Sequence, residues 1–197
     1  QSAYLSFSGM NNIRFGSTAT YVEVGNTAGD VIFIAGDGLG GVTDGAERYR
    51  LAFEHFEDIG GVAPTMTQPR SDHRATLLSD GYTILVTGGY DPSYLAAPLG
   101  GVGNLTLGLK TFARFDAQAT VDGFSLANAN LLYTRRFHAA TRLYDGTVLL
   151  TGGLNGETEL QGATLAAPRA TINENPSLTT IHLGPGTITD TQFLDGA

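Results

Sequence analysis

The sequence predicts an all-β chain assembled from repeated four-stranded units, and three observations carry that prediction. Glycine supplies 27 of the 197 residues, lysine is limited to Lys110 and glutamate is sparse, a composition that favours short strands and tight turns over surface helices. No long stretch keeps a 3.6-residue apolar period. A block built around a polar turn recurs down the chain, and internal repetition outranks local propensity as a guide to architecture.

The two clearest copies are Arg70 to Gly89, RSDHRATLLSDGYTILVTGG, and Arg135 to Gly153, RRFHAATRLYDGTVLLTGG, with one extra residue in the former. Both run Arg, then His three residues on (His73, His138), then Ala-Thr, then Asp-Gly (Asp80-Gly81, Asp145-Gly146), then an apolar run closing in Thr-Gly-Gly. A weaker copy begins at Arg14, with Ala19-Thr20, a polar turn from Gly25 to Asp30, and VIFIAGD ending at Gly36-Asp37. Asp-Gly between short apolar runs is a hairpin signal, so each copy is expected to contribute two strands. The second strand of each (VIFIAG, TILVTG, TVLLTG) is apolar almost throughout, as a strand covered on both faces would be.

Two outer strands complete the unit. A third is expected over Glu47–Phe56 (ERYRLAFEHF) and Lys110–Gln118 (KTFARFDAQ), and a fourth over Phe7–Arg14, Ala63–Arg70 and Asn128–Arg135, where Met or Leu precedes Arg by four residues. Arg14, Arg70 and Arg135 lie 56 and 65 residues apart. Four strands at about that spacing are the unit of a β-propeller blade with loop insertions. The expected organisation is one unit over 1–197: 1–14 an outer strand closing a blade, 15–70 blade 1, 71–135 blade 2, and 136–197 blade 3 without its own outer strand.

These residues resemble the kelch-repeat family, in particular its secreted microbial kelch-like propellers, whose blades read roughly R-x-x-H-x-A-T-x-L-x-D-G-x-V-L-x-x-G-G. The match is specific over Arg70–Gly89 and Arg135–Gly153. It is partial over Arg14–Asp37, where Ser17 stands for His and Gly36-Asp37 for the diglycine. The resemblance implies propeller blades and a secreted or cell-surface location, and it implies no activity.

The chain opens on a match to a fourth strand and closes on Ile188–Ala197 (ITDTQFLDGA), which resembles a third. About three blades are fewer than the roughly four to eight that close a ring, and an open stack leaves a sheet edge and an apolar face uncovered. Completion by other copies is one expectation, as a six-bladed dimer or by head-to-tail strand exchange into polymers or filaments. Completion by further sequence of a longer propeller is the other. Gln1 at the start suits a processed secreted chain and a trimmed fragment alike.

Charge narrows the partners. With a formal net charge of −8 and 15% charged residues, the chain lacks the basic surface that phosphate backbones or anionic membranes require, so neither nucleic acid nor membrane insertion is expected. The absence of cysteine excludes disulfides, thiolate metal sites and cysteine nucleophiles.

Arg14, Arg70 and Arg135 could converge on a ligand, but a five-donor guanidinium equally suits the carbonyls or a carboxylate of the adjacent blade, and that structural role is expected. His73 and His138 fit the repeat as blade-building residues, and no metal is expected. Asp80 and Asp145 are explained by their turns. Gly36–Gly45 (GDGLGGVTDG) lacks calcium-loop, phosphate-loop and dinucleotide spacing and reads as an interblade loop. The long segments Tyr90–Leu109 and Leu154 to about Pro185 are the expected binding loops. Tyr90, Asp91 and Tyr94 are the candidate ligand contacts, with Asn104 in an N-x-T sequon. Leu95, Leu99, Val102 and Leu105 could instead fold that insertion onto a blade or a neighbouring subunit.

Enzymatic readings lack their residues. A galactose-oxidase-like copper site needs a cysteine, a sialidase-like propeller carries a Trp-containing box, and Trp, G-x-S-x-G and H-E-x-x-H are all absent. The expectation is a non-enzymatic structural or interaction protein without a cofactor, whose partner is itself. The alternatives are a propeller that recognises a glycan or surface protein through its long loops, and a piece of a larger propeller enzyme.

Overall fold

A computed structural model of the chain describes residues 9–58, 65–91, 109–119, 123–155, 158–159 and 163–166. These residues are all-β, with no helix among them. The first sheet is an antiparallel meander of β1 (Thr18–Tyr21), β2 (Val31–Gly38), β3 (Gly41–Arg50) and β4 (His55–Asp58). The second repeats the order with β5 (Arg74–Leu77), β6 (Thr83–Thr87), β7 (Leu109–Asp116) and β8 (Phe124–Arg135). In the third, β10 (Val148–Thr151) pairs with β9 (Ala139–Arg142) on one side and β13 (Ala163–Ala166) on the other. A short hairpin of β11 (Leu154–Asn155) and β12 (Thr158–Glu159) lies between β10 and β13 in the chain.

The hairpin turns follow from their sequence. Leu78 N donates to Thr83 O and Leu143 N to Thr147 O, while Asp80 Oδ1 accepts from Thr83 N at 2.9 Å and Asp145 Oδ1 from Thr147 N at 2.9 Å. Only the following glycine, Gly81 or Gly146, takes the positive φ that closes the turn.

Apolar positions then stack the sheets. Ile32, Ile34 and Ala46 of the first sheet meet Ile84, Val86, Ala113 and Phe115 of the second in one core cluster. Leu85 and Phe112, on the opposite face of the second sheet, join Val148 and Leu150 of the third in another. The second sheet is therefore covered on both faces, and all five residues of β6 are buried. The first strands lie alongside one another, β1 by β5 and β5 by β9.

Four expectations shift in register. Glu47–Phe56 is not one strand: Phe53 N donates to Arg50 O, Glu54 adopts φ 54°, and the chain reverses between β3 and β4. The fourth position beside β3 is thus filled by β4, while Thr65 bridges Gly45 and Met66 N donates to Asp44 O farther along the same strand. In the first repeat Ala35-Gly36, not Gly36-Asp37, occupies the diglycine position: Ala35, Gly88 and Gly152 have φ of 51–62°, and Gly36, Gly89 and Gly153 of 95–107°. The third-strand place beside β10 belongs to β13, inside the segment expected to be a loop, and residues 188–197 lie outside the described residues.

Candidate functional site

The repeated Arg begins a link that enters each sheet, and its geometry recurs three times. Arg14 Nη1 donates to Ala35 O (3.1 Å), Arg70 Nη1 to Gly88 O (2.9 Å) and Arg135 Nη1 to Gly152 O (2.9 Å), in each case the first residue of the diglycine position. The next residue pairs both ways with the residue after the second glycine: Phe15 with Asp37, Ser71 with Tyr90, Arg136 with Leu154. Glycine is demanded there by space, since a Cβ on Gly89 would stand 2.7 Å from Ser71 O and one on Gly153 2.6 Å from Arg136 O. Successive links are then stitched together, Asp72 N donating to Gly16 O and Phe137 N to Asp72 O, both at 3.1 Å.

The arginines do not converge on a shared ligand. Each is sunk against the sheet it enters, with Arg70 and Arg135 at most 2% exposed. Arg14 meets a carboxylate by direct bonds: Glu47 Oε1 accepts from its Nη2 at 2.6 Å and its Nε at 3.0 Å, and Asn11 N and Asn12 N complete the shell of this fully buried group. Burial alone would raise the Glu47 carboxyl, but those bonds bring it below its ordinary value. In the second sheet Ala113 stands at the equivalent place, and Arg70 uses Thr111 O and Thr111 Oγ1 instead. Burial pushes Arg70 down to about 10, with the Asp91 charge acting the other way.

His73 and His138 are also structural. Each ring is fully buried and shares a 2.8 Å hydrogen bond with a hydroxyl of the preceding sheet, His73 Nε2 with Thr18 Oγ1 and His138 Nε2 with Thr87 Oγ1. Burial, reinforced by nearby arginines, pushes both down to about 3, so both are neutral at physiological pH. Among the described residues no three His, Asp or Glu side chains are placed to hold a metal ion.

Of the candidate contacts, Tyr90 and Asp91 fall on this link end and Tyr94 and Asn104 lie outside the described residues. Tyr90 is half-buried with the Arg136 guanidinium 5.5 Å from its ring centre, and Asp91 is buried. Residues that sequence reasoning missed form the accessible part of this end: Ile13 (68% exposed), Phe15 (66%), Leu39 (93%) and Phe137 (49%). Their signal was available, because Phe15 and Phe137 immediately follow the repeated motif's Arg or Arg-Arg. Burial, together with nearby Asp37, holds the Asp72 carboxyl above its ordinary value despite Arg136 and Arg74.

A second surface is the outer face of the first sheet. Aligning the pairs Ile34–Ala46 and Thr87–Phe112 makes Tyr21, Val31 and Phe33 equivalent to Leu77, Ile84 and Val86 of the second sheet. Leu77, Ile84 and Val86 pack into the core cluster between sheets. Tyr21, by contrast, is 55% exposed and Val31 and Phe33 are half-buried, with the Phe33 ring 5.3 Å from that of Phe56. At the other end of the stack, Leu149 and Thr151 of β10 are half-buried where their equivalents Ile32, Ile34, Leu85 and Thr87 are buried. In comparisons with known proteins, the chain matches no family model and no curated protein.

Proposed function

We propose that this chain is a non-enzymatic structural and interaction protein of the cell surface or exterior, a kelch-like propeller unit that completes itself by packing against other copies. The observation that carries the reading is the repeat equivalence of Tyr21, Val31 and Phe33 with residues that the second sheet buries. The outer face of the first sheet has the chemistry of an internal sheet-to-sheet interface, and the half-buried rear of the third sheet has the complementary position in the repeat. Stacking rear to front repeats a contact the fold already makes twice, and it generates a closed dimer or a filament according to the rotation between copies.

Light scattering over a concentration series tests this. The wild-type chain is expected to exceed its 20.6 kDa monomer mass. Tyr21→Arg and Phe33→Asp are expected to return it to monomer with folding intact. A wild-type chain that stays monomeric and folded at every concentration refutes self-assembly.

A second reading is favoured by the exposed Ile13, Phe15, Leu39 and Phe137 at the link end, which offer a glycan or protein an apolar platform beside Arg136. Saturable binding lost in Phe15→Ala, with mass unchanged, would support it.

A further inference from the structure

The two complete sheets carry an arginine at the same place and satisfy it differently. Arg48 of β3 lies opposite Glu57 of β4, and Arg114 of β7 lies opposite Ser125 of β8. In the first sheet Arg48 Nε donates to Glu57 Oε1 at 2.9 Å, its Nη2 makes a second bond to the same oxygen, and Asp30 Oδ2 stands 3.8 Å from its Nε. Both acidic positions are hydroxyls in the second sheet. Ser125 replaces Glu57, and Thr83, which directly precedes Ile84 as Asp30 precedes Val31, replaces Asp30.

Arg114 is nonetheless 8% exposed, and its Nε is buried without a hydrogen-bond partner. Nε itself is closed to solvent, so an anion can compensate this largely desolvated cation only through its Nη groups. It opens into a cleft of about 310 Å³ lined by Tyr82, Thr83, Asp116, Phe124 and Ser125. That volume belongs to the small end of ligand sites.

We infer that this cleft binds a small hydroxylated carboxylate of hexuronate size, whose carboxylate takes the place that Glu57 occupies beside Arg48. The two Nη groups of the guanidinium can donate to a carboxylate in two parallel bonds, and the Thr83 and Ser125 hydroxyls can donate to its remaining lone pairs. Asp116, at the same cleft, can accept a ligand hydroxyl, and its charge disfavours polyanions. Tyr82 and Phe124 offer apolar surface to a sugar ring. The site is separate from the assembly face of the first sheet and does not depend on assembly.

The test uses the full chain, titrated calorimetrically with D-glucuronate and, as a neutral control, D-glucose. Glucuronate is expected to bind saturably and glucose not. Arg114→Gln is expected to weaken glucuronate about tenfold or more. Ser125→Glu, which restores the internal carboxylate of the first sheet, is expected to abolish binding while raising Tm, a combination that misfolding cannot produce. A trisaccharide ending in the same uronate that binds more tightly than the free acid assigns the cleft to glycan termini, and one that binds no better assigns it to free sugar acids. No saturable glucuronate binding, equal binding of glucose, or undiminished binding by a folded Ser125→Glu overturns the inference.

Discussion

Removing the Glu47 carboxylate breaks a fully buried ion pair from one side. Glu47→Ala deletes the acceptor of two Arg14 donors and of Asn11 N, Asn12 N and Asn12 Nδ2, at distances of 2.6–3.1 Å. The Arg14 side chain is only 2% exposed, so bulk water does not solvate it in the native packing. It keeps Ala35 O, Thr43 Oγ1 and Gly45 O, all of them uncharged acceptors. Breaking a buried pair from one side costs about 3–5 kcal/mol, a large share of the roughly 5–15 kcal/mol that holds a domain folded. For a chain of this length that is a fall in Tm of about 6–20 °C. Urea unfolding at pH 7 should show a lower midpoint at constant m. Arg14→Met combined with Glu47→Leu should recover much of the loss, because an apolar pair leaves no charge to desolvate. A loss below about 1 kcal/mol for Glu47→Ala would mean that the pair behaves as a solvated surface bridge, refuting the reasoning.

Acid should weaken the fold through the two histidines. Their folded values of about 3 lie below the ordinary 6.5, so the stability of the neutral rings is complete above about pH 6.5 and declines as pH falls toward 3. The slope is about 1.4 kcal/mol per pH unit per histidine, and Glu47 and Glu57, both held below their ordinary values, add to the loss under about pH 4.5. Urea midpoints at pH 7 and 5 should differ, and His73→Gln should roughly halve that difference; equal midpoints would contradict neutral burial. Gly89→Ala, at φ 104° with its Cβ 2.7 Å from Ser71 O, should cost at least about 2 kcal/mol in chemical unfolding. Gly29→Ala, at φ 93° with nothing within 4 Å of its Cβ, should cost only about 1 kcal/mol, and equal losses would show that steric closeness at the diglycine is unimportant.

What could be read from residue order was local or repeated. Asp80-Gly81 and Asp145-Gly146 mark turns whose bonds form within five residues, and the apolar run of β6 matches its burial on both faces, whereas the equally apolar runs of β2 and β10 leave alternate residues half-buried. The repeated Arg could be read as structural because a buried guanidinium needs several carbonyls at once. The reversal at Leu51–Glu54 was not legible, since the sequence there carries neither Gly nor Pro and continues the alternation of a strand. Nor was Ala35 recognisable as a diglycine equivalent, because an alanine at φ 51° is held there by the link that packs on Gly36 and not by its own preference.

The candidate surfaces divide in the same way. Tyr90 and Asp91 lie on a loop that sequence could single out, but only packing decides that the Tyr90 ring meets Arg136 and that Asp91 is buried near Arg70. The cleft at Arg114 was invisible in one dimension: it exists because strand register sets Ser125 and Thr83 where the first sheet has Glu57 and Asp30. Sequence alone determined the strand period, the turns and the threefold repetition, all properties of short-range sterics and hydrophobic pattern. The tertiary structure alone decided which equivalent positions are covered, because burial and charge compensation depend on what the neighbouring sheet brings to each side chain.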